Sequence, residues 1–256
     1  YKMMSRIGTQ EAFQCSQEAY EKCRKWGNKT GMLTALWCQL YGHLVLQNLD
    51  SSIYYCQEIT NVSRELGSKA QETVGLKTLA YAYSRADSIQ PALECYYESN
   101  LLNDELGWQR EKCQNLSMVG NLYVRLEEYE PAAKVLVETI RIAEDVDEKH
   151  TFYSAKRMLA GLYIITEDYD KAEEAYIETL EWVDTALIDE AKIGMRANVY
   201  YDMAVLYGNL EQYEMSRKYL ELAIEDYNTQ KLRMATDLVI VELSLIHISE
   251  PTRQEA

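Results

Sequence analysis

Helix breakers are scarce in this chain, with 3 prolines and 11 glycines in 256 residues, and that leaves room for long helices. Phenylalanine is almost missing, at 2 residues against 21 tyrosines. Many apolar contacts must therefore be made by rings that carry a hydroxyl, and such rings suit half-buried positions with one wet edge. Positive charge is short as well: the formal net charge is −15, which argues against direct binding of nucleic acid, because a phosphate backbone needs clustered Lys and Arg. No apolar run is long enough to span a bilayer and no signal peptide is present, so no membrane partner is expected. The six cysteines, at 15, 23, 38, 56, 95 and 113, form no CxxC pair and no zinc spacing, which favours a reduced, cytoplasmic setting. His43, His150 and His247 lie far apart, and none sits at metal spacing from another His or a Cys, so neither a metal nor a cofactor is expected. A Gly-rich phosphate loop, a G-x-S-x-G elbow and an H-E-x-x-H helix are all absent, and no candidate catalytic set converges.

What the chain does have is a repeat. Leu122-Tyr123, Glu127-Glu128-Tyr129-Glu130, Ala132 and Glu138-Thr139-Ile140 return forty residues later as Leu162-Tyr163, Glu167-Asp168-Tyr169-Asp170, Ala172 and Glu178-Thr179-Leu180. A fixed period of this size means stacked supersecondary units. A small residue recurs at Ala12, Ser52, Ala92, Ala132, Ala172 and Ser216, in four steps of forty and one of forty-four. A second small column runs through Ala80, Gly120, Ala160 and Ala204, preceded by Leu79, Val119, Leu159 and Met203 and followed by Tyr83, Tyr123, Tyr163 and Tyr207. His43 takes the tyrosine position one repeat earlier and reads as a core residue. Within a repeat these columns fall at i, i+1 and i+4, one face of a helix.

The unit is thus a helical hairpin. The small columns of its first and second helices should meet, since helices approach closely only where side chains are small, and the tyrosines should fill the space beside them. Pro91 and Pro131 fall just inside second helices, and Glu130, Asp170 and Glu214 sit at helix starts, where the dipole favours anions. Gly27, Gly67 and Gly107 read as left-handed caps, with Asp147 a weaker substitute in the next repeat. The expected fold is all-α, a right-handed superhelical solenoid of antiparallel helical hairpins. Its repeat domain covers 1–244, with hairpins at about 1–28, 31–67, 69–107, 109–147, 150–187 and 190–229 and a partial one at 232–244. Residues 1–7 read as the tail of a first helix whose partner is 10–26. The tail 245–256 leaves the pattern, and its Leu245-Ile246-His247-Ile248-Ser249-Glu250-Pro251-Thr252-Arg253 resembles translated sequencing-adapter read-through, so a fragment of a longer protein is expected.

These columns resemble the tetratricopeptide repeat: Gly120, Tyr123, Tyr129 and Ala132 in one unit, Ala160, Tyr163, Tyr169, Ala172 and Tyr176 in the next, then Ala204, Tyr207 and Tyr213 with Ser216 replacing Ala. Leu40, His43, Leu49 and Ser52 make a poorer match, and the period of forty exceeds the usual thirty-four. The resemblance implies a non-enzymatic interaction module that binds a peptide or partner domain in a concave groove lined by first helices. Its groove columns hold Trp37, Tyr41, Lys77, Tyr81, Arg85, Asn121, Arg125, Arg157, Tyr201 and Asn209. Four cations on the inner face of an acidic protein suit an acidic or C-terminal carboxylate segment. The carboxylate clamp known from this family is not expected, because Tyr81, Met118, Ser154 and Met158 occupy columns that would need polar or basic residues. The alternative is the ligand-sensing half of a signalling protein whose nucleotide cyclase or DNA-binding output lies outside this chain. Oligomeric state is not legible from the sequence.

Overall fold

The computed structural model describes residues 6–186 and 189–229. Among the described residues there are eleven α-helices and no strand: α1 Arg6–Lys25, α2 Lys29–Val45, α3 Leu49–Leu66, α4 Lys69–Arg85, α5 Ile89–Leu106, α6 Gln109–Arg125, α7 Tyr129–Asp145, α8 Lys149–Ile165, α9 Tyr169–Ala186, α10 Asp189–Asn209 and α11 Tyr213–Thr229. The even-numbered helices are the first helices of the sequence reading and the odd-numbered ones the second. The chain divides into two compact units, one ending at Leu126 after α6 and the other starting at Glu127 before α7. The sequence reading treats 1–244 as one domain, and its hairpin 109–147 falls across this division. The partial repeat 232–244 and the tail 245–256 lie outside the described residues.

Short polar turns set the helix ends. Asn28, Asn48 and Ser68 cap α2, α3 and α4, their side-chain oxygens accepting from the backbone N–H of Gly31, Ser51 and Gln71 at 3.0, 3.2 and 3.4 Å. Pro91 and Pro131 are the third residues of α5 and α7, inside the first turn, where a backbone N–H has no helical partner to lose. Gly27, Gly67 and Gly107 are left-handed at φ 66, 69 and 71°, and Asp147 takes the same conformation at φ 51°. First helices end the same way without glycine: Gln47, Asp87, Glu127, Glu167 and Glu211 all have φ between 55 and 60°. A left-handed residue with a Cβ costs roughly 1–2 kcal/mol, so these five turns are held by their surroundings.

The small columns do what the sequence requires of them. Ala80, Ala160 and Ala204 on first helices, and Ser52, Ala92, Ala132, Ala172 and Ser216 on second helices, are all at most 2% exposed. Where α10 meets α11, the Ser216 hydroxyl donates to the Ala204 carbonyl at 2.7 Å, so the two columns touch. The tyrosine column is only partly core. Tyr207 is buried, while Tyr83, Tyr123 and Tyr163 are half-buried. Three hydroxyls are bonded: Tyr83 accepts from Gln57 at 2.8 Å, Tyr123 shares a bond with Tyr97 at 2.9 Å, and Tyr207 donates to Glu173. Each ring thus packs one edge inward and uses its polar tip to hold a preceding second helix. His43, in the same column, stacks between Phe13 and Tyr55 at 4.7 and 5.2 Å, and burial lowers its pKa.

One expectation fails. Arg6 and Ile7 do not end a preceding helix; they are the first turn of α1, which runs unbroken to Lys25. Gly8 alone cannot stop it, since one glycine inside a helix costs only about 1 kcal/mol. Ala12, expected to meet a first helix, is exposed. Asn115 is buried in α6, its amide donating to Ser99 and Asn100 at 2.9 and 3.0 Å.

Candidate ligand groove on the first helices

Exposure picks out one stripe on each first helix of the first unit. On α4, Val74, Tyr81 and Arg85 are exposed and Lys77 and Thr78 half-buried, while Leu76, Leu79 and Ala80 point into the core. Steps of three and four residues align the first set on one face. On α2 the stripe is Thr34, Cys38, Tyr41 and Val45 with Trp37 half-buried, and on α6 it includes Asn121 and Arg125. Seven of the sequence-derived groove residues, Trp37, Tyr41, Lys77, Tyr81, Arg85, Asn121 and Arg125, therefore lie on the stripes of the first unit. The other three, Arg157 on α8 and Tyr201 and Asn209 on α10, belong to the second.

Polar side chains tie successive first helices together. Lys77 Nζ donates to Gln114 Oε1 at 2.8 Å, joining α4 to α6. Arg125 Nη1 donates to the Ser84 carbonyl and hydroxyl at 3.1 Å each, and Nη2 donates to Asp87 Oδ1 at 2.6 Å. Arg85, beside that knot, is exposed and makes no ion pair among the described residues. In the second unit Arg157 grips Asp202 with two parallel bonds, Nε to Oδ2 at 2.6 Å and Nη2 to Oδ1 at 3.0 Å, and its guanidinium lies 5.6 Å from the Tyr153 ring centre. Burial works against the charge on Arg157, but Asp202 outweighs it and the guanidinium is held more firmly protonated than usual. Burial likewise pushes the Asp202 carboxyl up, against the pull of the arginine. Arg125 and Arg157 are thus already partnered, and of the four expected cations Arg85 is the one most open to an arriving group. Tyr201 is half-buried and Asn209 exposed.

Charge is sorted by helix. α2 and α8 contain no carboxylate, and α4 and α6 hold one each: Glu72 lies off the α4 stripe, and Glu111 lies in the first turn of the α6 stripe. Second helices are the opposite. α5 has Glu94, Glu98, Asp104 and Glu105 and no Lys or Arg; α9 sets Asp170, Glu173, Glu174, Glu178, Glu181 and Asp184 against Lys171 alone. Most of the acid on the helices sits on the second helices; the stripes of α2 and α4 carry none of it and that of α6 carries Glu111 alone. An anion meeting those stripes encounters Lys77, Arg85 and Arg125 beside the rings of Tyr41 and Tyr81.

The tetratricopeptide repeat model matches residues 197–225, the span of α10 and α11 that contains the Ala204–Ser216 contact. Solved structures extend the match over nearly the whole chain. BtubC (BKLC) from P. vanneervenii superposes with a TM-score of 0.70 at 13% identity, covering 88% of this chain and 92% of that one. The apo form of the quorum sensor NprR from B. thuringiensis superposes with a TM-score of 0.70 at 17% identity, covering 97% and 69%. NprR in complex with its cognate peptide NprX gives 0.60 at 16% identity, covering 99% and 77%. The fold is that of a tetratricopeptide-like repeat array. No curated protein matches the chain by sequence. Among the described residues of this tetratricopeptide-like array, no helix is long and apolar enough to cross a membrane, and no three His, Cys, Asp or Glu side chains gather as metal ligands would.

Sequence reasoning missed the partners of the groove cations. Ser84 and Asp87 precede Arg125 by 41 and 38 residues, and Asp202 follows Arg157 by 45. Each lies about one period away, so searching for acids one repeat from each groove cation would have found them.

Proposed function

We propose that the chain is a non-enzymatic interaction module whose first unit binds an acidic peptide, or an acidic segment of a partner protein, along the exposed stripes of α2, α4 and α6. The observation that carries this reading is the sorting of charge: in a chain of −15, those stripes hold Lys77, Arg85 and Arg125 beside Trp37, Tyr41 and Tyr81, with Glu111 in the first turn of α6 their one carboxylate. Arg85 and Arg125 would meet the ligand's carboxylates through charge-assisted bonds, Tyr41 and Tyr81 would cover its apolar side chains, and Asn121 would bond its backbone. NprR, similar in fold, is a peptide-bound protein in one of its structures, which supports a peptide as the ligand class. In the second unit Arg157, Tyr201 and Asn209 play a smaller part, because Asp202 already occupies Arg157.

Selection of twelve-residue peptides from a random display library tests this. Acidic sequences should dominate, and Arg85→Glu should weaken the best of them by about tenfold, equivalent to about 1.4 kcal/mol. Selected peptides without acidic bias, or an affinity indifferent to Arg85→Glu, would sink the proposal. Arg85 suits this test better than Arg125 or Arg157, whose reversal would also disturb Asp87 or Asp202.

A second reading rests on one observation, the similarity to a protein described as a quorum sensor. In it the groove is the sensing half of a longer signalling protein with a nucleotide cyclase or DNA-binding output. The genomic reading frame on both sides of this sequence decides between the two.

A further inference from the structure

The grooves between successive second helices repeat along the first unit, and two of them differ at one pair of charges. Between α3 and α5, Arg64 donates from Nη2 to Glu98 at 2.5 Å and from Nε to Glu72 at 2.7 Å, and the cavity there is about 360 Å³. Forty residues earlier the same columns hold Arg24 on α1, Glu58 on α3 and Met32 on α2. Methionine thus replaces the second acid, and Arg24 and Glu58 make no ion pair and no side-chain hydrogen bond among the described residues. The cavity between α1 and α3 is about 1010 Å³, large enough for a small molecule. Every residue that lines it belongs to α1, α2, α3 or the turn between α1 and α2, with Met32 and Leu36 as its floor.

The rings differ as well. Tyr20, Tyr54 and Tyr55 line this cavity, in columns where the next repeat has Thr60, Glu94 and Cys95. The Tyr54 and Tyr55 rings meet edge to face at 5.2 Å and 76°, which makes a corner of two aromatic walls, and His43 braces Tyr55 by stacking on it at 5.2 Å. Burial pushes the Tyr20 hydroxyl up, Glu58 adds to this and Arg24 opposes it, so both charges bear on the same ring. The other charges on the lining are satisfied. Glu21 accepts from Gln17 at 3.2 Å, Lys29 pairs with Glu65 at 3.4 Å, and Arg64 is held by Glu72 and Glu98. We infer that this cavity binds a small zwitterion, an alkylated ammonium that carries its own carboxylate. Glu58 and the tyrosine rings hold the cation, by charge and by cation–π attraction, and Arg24 holds the carboxylate. A plain cation would face Arg24 and a plain anion would face Glu58, so only a ligand with both charges satisfies both. The inference is separate from the acidic-peptide reading, because the cavity shares no residue with the exposed stripes of α2, α4 and α6.

N,N,N-Trimethylglycine serves as probe, titrated into the full chain at constant ionic strength and followed by ligand NMR, with tetramethylammonium and acetate as its two halves. The probe should bind with a Kd below about 1 mM, and each half at least about tenfold more weakly. Glu58→Gln and Arg24→Gln should each weaken the probe about tenfold, and Tyr54→Ala, at a ring 55% exposed, about fivefold. Arg24 and Glu58 hold no partner, so both variants should melt with the parent chain by circular dichroism. Arg85→Glu, which tests the acidic-peptide groove, should leave probe binding unchanged. No binding at about 20 mM probe, or an affinity indifferent to Glu58→Gln, overturns the inference. Tetramethylammonium binding as tightly as the probe overturns it too, by reducing the cavity to a cation site. So does tighter binding after Arg24→Gln, which would mean that Arg24 competes with the ligand for Glu58.

Discussion

Arg125 in the first unit reaches back about one repeat to an aspartate and Arg157 in the second reaches forward about one repeat to another, but the aspartates differ. The Asp87 side chain is 84% exposed, whereas that of Asp202 is 18% exposed. The first unit therefore leaves its cationic stripe in water, with an acid that moves aside at little cost. The second unit closes its stripe, and repeats the device at Arg196, which grips Asp226 through bonds of 2.7 and 2.6 Å. One repeat thus supplies two kinds of surface. Where the acid is exposed the arginine remains available to a ligand, and where the acid is half-buried the pair becomes part of the packing. The units also end their second helices differently: glycine supplies the left-handed caps of the first, while Asp147 does so in the second.

The largest test of this contrast is removal of the acids. Asp202→Ala should cost about 3 kcal/mol in urea denaturation, because Arg157 is left charged and poorly solvated, whereas Asp87→Ala should cost less than about 1 kcal/mol. Equal losses would mean that the two pairs do the same job. Next comes the packing column. Ala172→Leu should destabilise by about 1–3 kcal/mol, and Ala12→Leu, in the same column but exposed, should be near neutral by the same assay. The caps should give smaller effects of opposite sign: Gly107→Ala should lose about 1 kcal/mol and Glu167→Gly gain about 0.5 kcal/mol, read as shifts in melting temperature. A gain from both would mean that the backbone relaxes out of the left-handed conformation. The smallest effect is electrostatic. Lys112 holds Asp104 below the usual carboxylate range by two bonds of 2.8 Å. Its stabilisation is present above the unfolded-state value of about 3.9 and is lost as pH falls through the lower folded value, so Asp104→Asn should flatten the stability–pH slope below about pH 4.

Much of the fold was legible because its signals are local or periodic. The small columns, the capping glycines and the helix-start acids follow from backbone geometry that is the same in each repeat. The α1 error shows the limit. The period asks for a turn at residues 7–10, but only Gly8 and Thr9 favour one and no proline does, so helix propensity prevails. The tyrosine column shows a subtler limit. Its spacing shows that the rings face inward, but not how far, and the bonds to Gln57, Tyr97 and Glu173 depend on where the preceding second helix ends up.

The candidate site divides the same way. Which residues share a stripe is fixed by the helical period, so Tyr41, Lys77, Tyr81, Arg85 and Arg125 could be named from spacing alone. Which cations stay open was decided by contacts across repeats, where Arg125 meets Asp87 in water, 38 residues earlier, and Arg157 meets Asp202 beside Tyr153 and Tyr176, 45 residues later. The sequence by itself determined that the chain is a stack of helical hairpins, because a forty-residue period, small contact columns and paired caps leave few other ways to bury the apolar faces. Only the tertiary structure decided that Arg85 stays open to solvent and that Asp202 closes Arg157. Both depend on which side chains meet between helices far apart in sequence, and a periodic sequence repeats the helices without recording those meetings.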